Sequence, residues 1–376
     1  MPDFLEKQAV LQTMARSICD IARASKATDA QVYVSYSDGH EINVRQKKLT
    51  SLEKKSGYSV GVVLYQGQKS VSYSTSDTQP AVLQAAISTL VGRIRYVETD
   101  PYAGLPEVGQ LAHTPQDYDL YHTWDMPIAE QIDAALACES AALKADARIS
   151  QCNRVYLNTG CAIQVYANTH DFQVSYPSSY YRLSCSLIAG ETSDSMHTDY
   201  DYYLARQPFS RDVVTSVAAS AAKKVVGRLG SRTIGSQSCP VLFSPNTSRQ
   251  LLACFTRAIS GTALYQKASF LQDALGQQIF PDYVTITDDP SIMGGLGSRY
   301  ADNDGVVTQR RQLVEAGQLK GYLLGTYSAR QLGMTSTGNA GGHHNIICAG
   351  SGGDISAMLD QLGTGLYVTD FIGHGV

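Results

Sequence analysis

Five groups of residues have types and spacing that could do chemistry. Gly57-Tyr58-Ser59-Val60-Gly61 fits GxSxG, in which a tight strand-to-helix turn exposes a nucleophilic serine. Here Val62, Val63, Leu64 and Tyr65 follow and continue a strand, so Ser59 reads as a strand residue. His40-Glu41 opens a zinc-protease pattern, but Val44 and Arg45 stand where the second histidine would be. His343, His344 and Cys348 bring three metal-capable side chains into six residues; without a fourth at a recognisable spacing they read as loop and strand residues. The glycine runs at 294–297 and 350–353 lack the Lys-Ser/Thr of a phosphate loop and read as turns. Tyr176, Tyr180, Tyr181 and Tyr200, Tyr202, Tyr203 could stack on bases, but Asp194, Asp199 and Asp201 sit among them without a basic stripe. A sheet face or a peptide-binding surface explains these tyrosines better.

The elements that must carry these residues follow from periodicity. Residues 4–25 place Leu11, Met14, Ile18 and Ile21 on one helical face. Residues 31–37 alternate and meet Asp38-Gly39, a hairpin signal, with 40–45 expected as the returning strand. Strands are expected at 49–53, 57–65 and 70–74, then a helix over 79–96. A proline-bearing stretch follows, then a helix at 128–149, tyrosine-rich strands from 153 to 204 and a helix at 213–229. Helix, strands, helix thus occurs twice, which fits either duplication or ordinary α+β layering. Beyond residue 235 the pattern predicts a short buried strand at 241–243 and a helix at 248–259. A strand at 283–286, a hairpin at Ala316-Gly317 and a strand–helix–strand tail from 345 complete it. The fold class is α+β, with a helix/antiparallel-sheet N-terminal part and a β-rich C-terminal domain. The expected domains are 1–97 (helix-meander-helix), a linker at 98–126, a middle α+β domain at 127–235 and a C-terminal domain at 236–376.

Thirty basic and 34 acidic side chains give a net charge of −4, which argues against direct nucleic-acid contact. Eight scattered cysteines without a CxxC pair read as small hydrophobes in a reducing compartment. No signal-like block opens the chain and no run suits a membrane span, so a cytoplasmic protein without membrane contact is expected.

Residues 326–345, TYSARQLGMTSTGNAGGHHN, resemble the signature run of the PmbA/TldD family, close to SYSARKLGxxSTGxAGGxHN. FLQDALGQQIFPDYVTITDDP at 270–290, DGVVTQRR at 304–311 and GTGLYVTDFIGHGV at 363–376 resemble the family's third domain in order and spacing. Residues 31–75 resemble its N-terminal domain, and the likeness sits closer to the PmbA (TldE) branch than to TldD. The family continues past the GHGV run, so a longer C-terminus than Val376 is expected from the resemblance.

That resemblance implies a TldD/TldE peptidase in which TldD carries an HExxxH zinc helix and a further cysteine ligand. The matching positions here are Ala253, Cys254 and Ala258, none of which supplies the imidazole or carboxylate required. It implies a subunit without its own zinc or other cofactor, zinc in a TldD-like partner, and an unfolded peptide as substrate. A homodimer is the alternative assembly. Thr337, Gly338, Asn339, Gly341 and His344 either line the peptide cleft or only shape a tight loop. Two rivals stand beside this reading: an independent peptidase or hydrolase using Cys254 or His344, and a non-enzymatic regulator of DNA gyrase, which the family's older name implies.

Overall fold

The computed structural model describes residues 2–191, 196–350 and 353–371. Asp194, Ser351, Gly352 and the terminal GHGV lie outside the described residues. The chain divides into two units: Met1–Val108 with His113–Arg232 and Met293–Leu296, and Gly109–Ala112 with Thr233–Ile292 and Gly297–Val376.

In the first unit, Leu11, Ala15, Ile18 and Ala22 bury one stripe of helix α1 (Pro2–Ala24) at three- and four-residue steps. Strand β1 (Asp29–Arg45) then runs straight through the expected Asp38-Gly39 hairpin. Gly39 is there for close approach, since a Cβ on it would meet the Thr159 carbonyl oxygen at 2.2 Å. The turn falls instead at Gln46-Lys47, both at positive φ (54° and 57°), before β2 (Lys48–Gln66). The strands expected at 49–53 and 57–65 are therefore one, because Lys54, Lys55 and Ser56 pair with the uninterrupted His40, Gly39 and Asp38. Ser59 of the GxSxG pattern lies within β2.

β3 (Lys69–Thr75) and α2 (Pro80–Arg93) close the first set of elements. Between α2 and residue 128 the regular structure is two short 3-10 turns, Ile94–Tyr96 and Val108–Gln110. α3 (Ile128–Ala145), β4 (Ile149–Asn168), β5 (Phe172–Ala189), β6 (His197–Ala205) and α4 (Arg211–Gly227) form the second set. The sheet order is β3-β2-β1-β4-β5-β6, antiparallel throughout. Each set thus places its first strand at the centre and its third at an edge. Val32, Val34, Ile42 and Val44 of β1 share a face with Val155, Leu157, Ile163 and Val165 of β4. All four helices pack on that face, α1 and α2 over one end and α3 and α4 over the other.

The second unit is built from shorter pieces. β7 (Val241–Phe243) pairs in parallel with a strand near the chain's end, and it is not the buried strand expected, because Val241 is 44% exposed at its sheet edge. Ser244 caps α5 (Pro245–Ala258) by accepting from the Thr247 N–H, and α6 (Gly261–Tyr265) follows. β8 (Ile286–Asp289) starts later than expected; Tyr283 lies outside it and is 80% exposed. β9 (Arg311–Glu315) and β10 (Gln318–Leu319) form the expected hairpin, with Ala316 and Gly317 both at positive φ. After α7 (Thr326–Gln331), β11 (Asn345–Cys348) joins a sheet of order β10-β9-β8-β11. α8 (Ile355–Leu362) leads to β12 (Leu366–Val368), the partner of β7. Phe255, Ile259, Leu264, Ile286, Leu313 and Leu324 centre the core.

Of the eight cysteines, Cys19, Cys138, Cys152 and Cys185 are buried, whereas Cys254 and Cys348 are exposed and not the buried hydrophobes expected. No described helix is long and apolar enough to cross a membrane. The chain is an α+β protein.

Candidate functional site

Between α7 and β11 the chain makes a loop whose polar groups turn inward. The Thr337 and Asn339 N–H groups both donate to the Leu324 carbonyl, and the Leu324 N–H returns a bond to Thr337 Oγ1 at 2.8 Å. Gly338 sits at φ 71°, and a Cβ there would meet the Val307 carbonyl oxygen at 2.4 Å. This places the Asn339 side chain inside, 4% exposed, where its Nδ2 donates to Asp288 Oδ2 at 2.9 Å and its Oδ1 accepts from Thr337 Oγ1 at 2.7 Å. Arg311 Nη1 donates to the same Oδ1 at 3.3 Å and to the Tyr322 carbonyl at 3.0 Å.

Asp288, 1% exposed on β8, is the hub. Besides Asn339 it accepts from the His344 backbone N–H at 2.8 Å and from His344 Nδ1 at 3.0 Å. A carboxylate partner assigns the proton to Nδ1. Burial pushes the Asp288 carboxyl up, but the His344 and Asn339 bonds and the His344 charge outweigh it and hold its pKa below the usual value. Burial lowers the Arg311 guanidinium, and the Asp288 charge opposes that. A second buried carboxyl, Asp302, accepts from the Ala340, Asp304 and Val306 N–H groups at 2.8–2.9 Å. Burial first, then the Asp304 charge, raises it to about 7 against those three donors.

The structure brings Thr337, Gly338, Asn339 and His344 into one bonded loop. Gly338, Asn339 and His344 are buried, Thr337 is half-buried, and Gly341 is exposed beside Gly342 and His343. His343 and Cys348 do not join His344, whose Nδ1 is turned to Asp288. On α5, Ala253 and Cys254 are exposed and Ala258 packs into the core. Two methyl groups and one thiol do not fit a zinc site. Asp288, Asp302 and Arg311 escaped the reading of single residues. The signal available was an acidic pair, Asp288-Asp289, ending a strand inside a block that resembles the family.

An antiparallel sheet layered with four helices, followed by a short-stranded unit wrapped around a buried Asp–His–Asn loop, defines the class of this α+β protein. The sequence model described as the PmbA/TldA metallopeptidase C-terminal domain matches residues 236–376, and the central-domain model of the same family matches 121–229. Metalloprotease PmbA of Escherichia coli O157:H7 is 34% identical over 370 residues, 98% of this chain and 82% of the relative. A metalloprotease PmbA homolog of Haemophilus influenzae is 37% identical over 355 residues, 94% of this chain and 78% of the relative. The solved structure of TldE from Thermococcus kodakarensis has the same fold, with a TM-score of 0.80 at 18% identity over 96% of this chain and 83% of that one. The chain belongs to the PmbA/TldD family.

Proposed function

We propose that this chain is a TldE-like, non-catalytic subunit that pairs with a TldD-like zinc peptidase and helps hold an unfolded peptide for cleavage. The observation that carries this reading is the chemistry of α5. Where the resemblance puts two histidines and a glutamate, the chain has Ala253, Cys254 and Ala258, and Ala258 is committed to the core. In the same reading the exposed crest 341–343 meets the peptide, while Asn339 and His344 hold that crest in place from below. An extended peptide would add main-chain hydrogen bonds of the strand type. Eight free cysteines accord with work in a reducing cytoplasm.

Purified alone, the chain is expected to hold no stoichiometric zinc and to leave an unfolded peptide intact. Adding a TldD-like subunit should produce chelator-sensitive cleavage faster than that subunit gives by itself. About one zinc per chain after dialysis against a mild chelator would overturn the reading. So would cleavage by the lone chain that Cys254→Ser or His344→Gln abolishes, which would make it an independent enzyme. A salt-dependent shift of DNA by the chain would favour the gyrase-regulator reading instead.

A further inference from the structure

Side chains alternate across a strand, and in β6 this separates Asp199 and Asp201 from Tyr200 and Tyr202. Asp199 and Asp201 point to α4, where they pair with Arg228 and Lys224. Tyr200 and Tyr202 point to the opposite face of the sheet, away from the four described helices of this unit. On that face a groove of ≈ 730 Å³ crosses β2, β1, β4, β5 and β6. Arg45, Arg154 and Arg182 line it together with Tyr200 and a set of serine, threonine and asparagine side chains, and among the described residues no acid is in its lining.

None of these three arginines has an ion-pair partner within 4.0 Å among the described residues. The Arg154 guanidinium lies 4.9 Å from the Tyr156 ring centre, and Arg182 lies 5.9 Å from Tyr156 and 5.4 Å from Tyr202. A guanidinium laid over a ring keeps its N–H edge for a planar acceptor. Arg182 Nε is shut off from solvent with no hydrogen-bond partner among the described residues. Two acids on the neighbouring stretch of β1 and β2 are already engaged: Glu41 accepts from Lys55 Nζ at 2.8 Å, and Glu53 lies 3.7 Å from the same nitrogen. Glu41 also exerts an electrostatic pull with Arg154 and bounds the positive region on that side.

We propose that this groove binds an acidic, extended peptide segment, whose carboxylates pair with Arg45, Arg154 and Arg182. Carboxylates match the fork of a guanidinium in two parallel hydrogen bonds. Hydroxyl and amide side chains both donate and accept, so the rest of the lining suits peptide N–H and C=O groups, whereas a phosphate backbone offers acceptors alone. The positive region is short and ends at glutamates, and the whole chain carries −4, which disfavours a long polyanion. Binding here is a property of this chain alone, so it stands whether or not the TldD pairing does.

The test is fluorescence anisotropy on the full chain at low salt. The probes are a labelled decapeptide alternating Glu with Ser, its Gln-for-Glu counterpart, and a thymidine decanucleotide. The Glu peptide is expected to bind at least about tenfold more tightly than the Gln peptide and to weaken as salt rises. Arg154→Gln and Arg182→Gln should each cost about tenfold, and Arg182→Lys should recover only part, because lysine lacks the fork. Lys223→Gln, exposed on α4, should bind as the parent does. Circular dichroism checks folding, and exposed Arg154 keeps the test available if the Arg182 variants unfold. Equal affinity for both peptides, parental affinity in both arginine-to-glutamine variants, or tighter binding of the oligonucleotide would each overturn the proposal.

Discussion

Asp302 receives three backbone N–H groups and still keeps its proton to about pH 7, because burial and the Asp304 charge outweigh those donors. The unfolded chain releases that proton near the ordinary 3.8. The contribution of Asp302 to stability is therefore full below about pH 4, falls as pH rises through 7, and levels off above. Asp288 runs the other way: its lowered pKa contributes stability above the usual carboxylate range, lost as pH falls through the native value. Asp302→Asn should leave the melting temperature, relative to the parent, climbing between about pH 4 and 7, and thermal melts across that range check it. A gap that is constant with pH would show Asp302 already ionised. Asn339→Leu removes a donor to buried Asp288 and an acceptor for Thr337 and Arg311 at once. It should cost about 2–4 kcal/mol in chemical denaturation, the range for stranding a buried charged group.

At the level of elements, Asp38-Gly39 is the instructive failure of local reading. The dipeptide suits a tight turn, yet β1 passes through it because Gly39 lies opposite Gly160 of β4, where the two backbones approach closely. Gly39→Val should lower stability by several kcal/mol, because the Thr159 carbonyl and the Gly160 backbone cannot yield to a branched side chain. Gly57→Val in β2, where a Cβ meets nothing within 4 Å, is the control and should be neutral to mildly stabilising. Equal losses in both would remove the close-approach account. Helices α2 and α4 were legible because each buries one stripe: Leu83 and Ile87 of α2, and Val214, Val217, Ala218 and Ala221 of α4, recur at helical steps.

At the scale of the molecule, the β1–β4 pair joins two helix–three-strand–helix sets into one sheet, with register held from Gln31 opposite Asn168 to Val44 opposite Val155. Neither set keeps an open edge at the junction, which suits co-operative unfolding of residues drawn from both. Under the proposed function the chain is also one of a pair. Light scattering of the chain alone should give a dimer mass, since related subunits can share one pseudo-twofold interface, and a TldD-like subunit should displace one copy on mixing. A strict monomer at micromolar concentration that ignores the TldD-like subunit would sink the pairing and leave the independent-enzyme reading ahead.

Sequence alone determined what depends on neighbours a few residues apart. The amphipathic stripes, the alternating strands, the Ala316-Gly317 turn and the α+β class all follow from side-chain period and backbone freedom, which are local properties. The family run at 326–345 was equally legible, because it is contiguous. Only the tertiary structure decided that Asp288 would stand beside His344, 56 residues away, and that β1 would pair with β4 instead of folding back at Gly39. It also decided that Asp199 and Asp201 would face α4 while Arg154 and Arg182 gathered on the other side of the sheet. Strand partners, burial and the meeting of charges are set by chain segments far apart in sequence, and no local pattern encodes which of them will meet.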